Sequence, residues 1–220
     1  WIDQHLRLKA KLIGFLRPES VQRLYPDKDQ SVAARYARSI AAYRQNNVER
    51  ALNGINALLE EEPANPYFHE LKGQMLLDFG RAEQAARSYD RAVDLAPDAP
   101  LIRAGYGHAL LESLPYDAAS PGDYNAAIDA LRPALSQDPR FARGHRLIGQ
   151  AYGRKGETGL ARLHLAEYEL LRRRYGEARR NAEQAKAALP EGSPGSLRAQ
   201  DVIKTLENRG HNGARGPGTE

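Results

Sequence analysis

Pro63 and Pro97 stand 34 residues apart, and each follows an alanine by 12 residues, Ala51 before Pro63 and Ala85 before Pro97. The same offset of 12 joins Ala127 to Pro139 and Ala178 to Pro190. Ten residues after three of these prolines comes a glycine: Gly73, Gly107 and Gly149. Only 19 of the 220 residues are glycine, so three at one offset mark a repeating unit rather than chance. Small residues recurring at fixed places mean close helix crossings, where a larger side chain would force the pair apart. A proline cannot continue a helix, so each one ends a helix pair and opens the next. The bulky apolar partners of the crossings follow four residues after the alanines, as Ile55, Tyr89 and Leu131.

A unit of 34 residues built from two helices has the period of the tetratricopeptide repeat (TPR), and Ile148-Gly149 followed by Tyr152 adds a further piece of that pattern. The predicted fold is therefore all-α, a TPR helical-hairpin solenoid with right-handed superhelical sense, of about four hairpins plus flanking helices. Residues 2–17 carry an apolar face of Leu6, Leu8, Leu12, Ile13, Phe15 and Leu16, closed by Pro18. Hairpins are predicted at 32–61, 66–95, 99–138 and 141–172, followed by helices at 174–188 and 196–208. Residues 1–30 are assigned to N-terminal linker helices and 31–208 to the array with its C-terminal capping helices. The glycine-rich stretch 209–220 is expected to be disordered. Pro97 to Pro139 spans 42 residues, and the excess falls around Leu114–Asp123. Insertions in repeats map to loops on one face. This one reads first as tolerated surface slack, with a partner contact as the alternative.

Composition excludes several chemistries. Cysteine is absent, which removes disulfides, thiolate nucleophiles and Cys-ligated zinc. No apolar run approaches the roughly 18 residues of a membrane span. No basic-then-apolar leader opens the chain, and the start at Trp1 rather than Met leads to the expectation of an excerpt from a longer protein. Much of the net charge of +4 is local, in Arg172, Arg173, Arg174, Arg179 and Arg180. No aromatic or glycine-rich nucleic-acid motif accompanies this cluster, so it reads as a solvated helix face and no nucleic-acid partner is expected.

Catalytic constellations are lacking. The histidines are His5, His69, His108, His145, His164 and His211, and no two stand four apart as a helix would present metal ligands. His69-Glu70 begins like H-E-x-x-H, but the closing position is Gly73, which the repeat already explains. Glu60, Glu61 and Glu62 are adjacent and point in different directions around a helix. The expectation is a chain that is not an enzyme and holds no cofactor.

In a stacked array the first helix of each pair lines the concave side, where a ligand lies. Counted from the glycine marker, the inward positions are Tyr36, Ile40 and Tyr43 in the first hairpin and Tyr67, Glu70, Gln74 and Leu77 in the second. The third contributes Leu101, His108 and Leu111, and the fourth Arg143, Arg146, Gln150 and Arg154. Such a groove, apolar at one end and basic at the other, suits an extended protein or peptide segment with an acidic portion. For Tyr36, Tyr43 and Leu77 the competing reading is packing between hairpins. The Lys/Asn arrangement that clamps a C-terminal carboxylate is missing, so a chaperone-tail receptor is not expected.

The local wording of the repeats carries a resemblance beyond their spacing. The pieces are Ala10-Lys11-Leu12-Ile13-Gly14-Phe15-Leu16 with Tyr25-Pro26, the run from Ser31 to Arg38, and Asn65-Pro66-Tyr67-Phe68-His69-Glu70-Leu71-Lys72-Gly73-Gln74. Ala151-Tyr152-Gly153-Arg154-Lys155-Gly156 and the run from Leu189 to Gly195 complete them. Together they resemble the C-terminal TPR half of bacterial periplasmic zinc metalloproteases, relatives of the beta-barrel assembly-enhancing protease of alphaproteobacterial type. The resemblance implies a zinc-dependent H-E-x-x-H domain outside this chain and a periplasmic location. It also implies a TPR part that holds misfolded outer-membrane proteins or docks on their assembly machinery. No zinc ligand carries over to any residue here. The alternative is a standalone TPR scaffold with an unrelated partner.

Overall fold

The computed structural model describes residues 2–115, 120 and 123–214. Its helices are α1 (Ile2–Leu16), α2 (Val21–Leu24, entered through a 3-10 turn at Pro18–Ser20), α3 (Val32–Arg44), α4 (Val48–Glu61), α5 (Pro66–Asp78), α6 (Ala82–Leu95) and α7 (Pro100–Ser113). They continue as α8 (Tyr124–Gln137), α9 (Ala142–Lys155), α10 (Thr158–Leu171), α11 (Tyr175–Ala188) and α12 (Pro194–Ala214). No strand occurs among the described residues. Of the predicted hairpins, α3 packs on α4, α5 on α6 and α9 on α10, and the third range holds α7 and α8 as successive helices. The last helix runs through 209–214, where the sequence reading placed disorder; 215–220 lie outside the described residues, as do 116–119 and 121–122 of the inserted loop.

The chain divides into two compact units, Trp1–Ala109 and Leu110–Glu220, with the boundary inside α7. In the first, polar caps and prolines set where helices start. Ser31 accepts from the Ala34 amide (3.2 Å), Asn47 from Arg50 (3.1 Å) and Asn65 from Tyr67 (3.1 Å), each satisfying an amide that has no partner within its own helix. Pro66 takes the first helical position of α5, where its missing N–H costs nothing. Both intra-hairpin turns pass through a left-handed residue, Asn46 (φ 59°) and Gly80 (φ 73°). The next amide then reaches back six residues inclusive, Asn47 to Ala42 and Arg81 to Leu76, both at 2.8 Å, which closes each first helix. The core of this unit includes Ile40, Ile55, Leu58, Phe68, Leu71 and Met75. Tyr89 of α6 shows why glycine recurs. A Cβ on Gly73 of α5 would lie 2.7 Å from its ring, and one on Gly105 of α7 would meet the same ring. In the first hairpin Ser39 takes the marker place, and the room comes instead from Gly54 across the pair.

The second unit repeats the turn at Gly156 (φ 88°) and again at Arg173 (φ 61°), where Arg174 donates to the Glu169 carbonyl at 2.9 Å. The α10–α11 connection is thus a tight hairpin turn of the same kind, built without glycine. Alanines pack the helices that follow. Ala166, Ala178 and Ala182 lie against Val202 and Leu206, and Leu163 against Ala185 and Ala199.

Candidate protein-binding site

In the first unit α1 lies along α3, and small residues let it approach. Ala10 is fully buried, and a Cβ on Gly14 would stand 2.8 Å from the side chain of Ile40. The Phe15 ring meets the Tyr43 ring edge-on at 6.0 Å. Helix α1 therefore covers the face of α3 that the repeat register reads as open groove. Ile40 is fully buried and packs wholly against its own chain, which corrects its assignment as a ligand contact, while Tyr36, only 3% exposed, keeps an edge on the cleft beside α1. The cause is the apolar face of α1, which needs burial and finds it on α3. Tyr43 is half-buried and donates its hydroxyl to the Asp78 carboxylate, and burial followed by that carboxylate pushes its phenol up to about 12. Gln74 donates to the Tyr43 oxygen at 3.4 Å, and Leu77 packs partly buried against the same core.

What stays open is a cleft of about 800 Å³ between α1 and the α4–α5 corner. Tyr36 and Phe68, with ring centroids 5.2 Å apart, contribute apolar wall, and Leu8 and the largely exposed Tyr67 also line it. The Arg7 guanidinium lies 5.5 Å over the Phe68 ring and forks onto Glu62 at 2.9 and 2.6 Å. Asn65 donates to the same Glu62 at 2.9 Å while capping α5, so the corner and the cation hold each other. Lys11, also on the wall, pairs with Glu70 at 3.4 Å. Of the expected contacts, the structure brings Tyr36 and Tyr67 into the cleft and Glu70 beside it through Lys11. Leu101 is exposed on α7 and His108 half-buried, both outside the cleft lining. The sequence reading missed Arg7, Leu8, Lys11 and Phe68; the usable signal was two cations spaced four apart on an apolar helix preceding the array.

In the second unit Arg143 and Gln150 are exposed on α9, and Arg146 reaches Gln150 at 3.5 Å. Arg154 instead donates to the Leu111 carbonyl at 2.5 Å and pairs with Glu112 at 3.4 Å, satisfying a carbonyl near the end of α7. Leu111 itself is 1% exposed, a core residue rather than a groove contact, which corrects its assignment. Gln150, Arg154, Arg162 and Leu165 rim a hollow of about 430 Å³ over Gly149 and Gly153.

Two other clusters resolve as structure. His145 of α9 and His164 of α10 face each other with their Nδ1 atoms 3.1 Å apart, and His145 Nε2 lies 3.0 Å from the Pro139 carbonyl. That carbonyl only accepts, so Nε2 carries the proton; in neutral His145 the Nδ1 then accepts from His164. Burial pushes both imidazoles below their ordinary value, His164 to about 3 with the facing His145 as second cause. Among the basic residues Arg172 bonds the Tyr168 hydroxyl, Arg174 pairs with Glu169, Arg179 with Glu183 and Glu207, and Arg180 with Glu177. Among the described residues no group of three or more His, Cys, Asp or Glu side chains could hold a metal ion. No helix among them is long and apolar enough to cross a membrane.

A tetratricopeptide-repeat model matches residues 36–100 and 116–168, more than half of the chain. The chain belongs to the tetratricopeptide-repeat family. Over 93 residues, 42% of the chain, it is 32% identical to a TPR repeat-containing thioredoxin of Arabidopsis thaliana, of whose length the match spans 12%. Solved structures of MamA share the TPR fold. One designated AMB-1 superposes with a TM-score of 0.62 at 20% identity, covering 76% of this chain and 98% of its own. Another, from Desulfovibrio magneticus, gives 0.55 at 17%, covering 87% and 96%. TPR domains bind proteins, and this chain shares that scaffold.

Proposed function

We propose that this TPR chain is a noncatalytic protein-binding region that takes an extended segment of a partner in the cleft between α1 and α5. The observation that carries this is the cleft itself: an aromatic and aliphatic wall beside two cations, Arg7 and Lys11, that a ligand carboxylate can share with Glu62 and Glu70. The partner segment is apolar or aromatic with an acidic portion; in the second unit Arg143 and Arg146 form a basic surface of their own. A photoreactive residue at Tyr67 or Arg146, mixed with an unfolded outer-membrane β-barrel protein, tests the assignment. Crosslinks are expected at Tyr67. Crosslinks confined to an α6 position such as Arg87 overturn it.

On the wording of its repeats, the chain is the recognition half of a periplasmic zinc metalloprotease acting in outer-membrane protein quality control. Zinc and proteolysis then belong to residues outside this chain. The coding sequence upstream of Trp1 decides this reading. An in-frame H-E-x-x-H supports it, and a start codon directly before Trp1 removes it in favour of a standalone scaffold.

A further inference from the structure

The outer face of α1 is apolar where a water-facing helix is ordinarily polar. Leu8, Leu12 and Leu16 are 57%, 51% and 74% exposed and stand four residues apart, so they form one ridge along the helix. The opposite side, with Ala10 and Gly14, is buried against α3. A contiguous exposed apolar ridge of this kind marks a docking surface. Among the described side chains the charges beside it are one-sided. At about 100° per residue the three leucines span an arc of about 80°; His5 projects within it and Lys9 about 20° beyond its Leu16 edge. Both are exposed and without partner among the described residues, as is Arg17 just past the helix end. The carboxylates that face α1, Glu62 and Glu70, lie on its other flank and are already held by Arg7 and Lys11. Among the described side chains Glu19, beyond Pro18, is the nearest exposed carboxylate in sequence.

We propose that this face docks an acidic amphipathic helix of a partner protein. Its apolar side chains, four apart, seat between Leu8, Leu12 and Leu16, and its carboxylates meet His5, Lys9 and Arg17. Charge decides between the occupants. A second copy of α1 would bring cations onto cations. A lipid surface would draw His5, which stands within the apolar arc, in among acyl chains. An acidic helix neutralises Lys9 and Arg17 while covering the leucines. The surface is separate from the cleft except at Leu8, which borders both.

The test uses the full chain and a fluorescein-labelled designed helix of about five turns, with leucine at every fourth position and glutamate around it. A charge-reversed peptide, with lysine for glutamate, is the control. Fluorescence anisotropy is expected to show the acidic peptide binding at least about tenfold tighter than its reversal. The L12S/L16S double variant is expected to lose about tenfold or more, and K9E to weaken binding while leaving far-ultraviolet circular dichroism unchanged. Equal binding of the two peptides, or no effect of L12S/L16S and K9E, overturns the proposal. So does a wild-type dimer in sedimentation equilibrium that L12S abolishes. Cosedimentation with phosphatidylglycerol vesicles without binding of the acidic peptide overturns it as well.

Discussion

Acid should loosen the second unit through His164. Its imidazole, facing His145 in a largely water-free contact, is held neutral down to about 3, against an ordinary value of 6.5. A histidine whose folded value is depressed binds more protons when unfolded, so its contribution to stability is complete above 6.5 and falls as the pH drops below it. With these two values, proton linkage makes the native state about 2 kcal/mol less stable at about pH 5 than at about pH 7.5 from this one group. His145 is shifted the same way, also chiefly by burial, and adds to the loss. Replacing His164 with Gln removes the titrating group while leaving an amide that can donate to His145 Nδ1. Urea unfolding followed by circular dichroism, at both pH values and for both proteins, isolates the term, because the carboxylates common to the two cancel. The stability lost between the two pH values should be smaller in H164Q by about 2 kcal/mol. An equal loss in the two proteins refutes the burial argument.

The glycine markers are not equivalent, and identical substitutions should separate them. Gly73→Ala drives a methyl to 2.7 Å from the Tyr89 ring, which Gly105 hems in from the other side; overpacking of about 1–3 kcal/mol should exceed the gain in helix propensity. Gly149→Ala meets nothing nearer than 3.4 Å, so urea midpoints should show it neutral or stabilising by up to about 1 kcal/mol. Asn65→Ala removes the cap of α5 and a hydrogen bond to Glu62, with about 1 kcal/mol expected at equilibrium. The same change should reduce Tyr67 crosslinking, since that cap orients the cleft corner.

The helices were legible because their determinants are local. Alanine, glycine and proline at fixed offsets state where helices cross and end, and no distant residue has to be known. Even so, the period could not show that Tyr89 needs Gly105 as well as Gly73, since Gly105 lies outside the marker series. Nor could composition show that Arg173 takes a left-handed backbone, a conformation that costs a non-glycine residue roughly 1 kcal/mol and that packing on both sides must offset. The candidate groove was half legible for a related reason. Helical register says which way Tyr36, Ile40 and Leu111 point, but openness depends on what else the chain brings to that face. For Tyr36 and Ile40 it brings α1, whose segment was read only as a linker; its Gly14, an ordinary glycine by sequence, is what allows contact with Ile40. Arg154 is the converse, a cation assigned to a ligand that the chain itself consumes at the Leu111 carbonyl. Once α1 is counted as part of the array, the unsatisfied surface moves outward, from the floor of the groove to the cleft beside Tyr67 and the leucine ridge above it. Recognition by this unit should therefore depend on residues 4–17 as much as on the repeats.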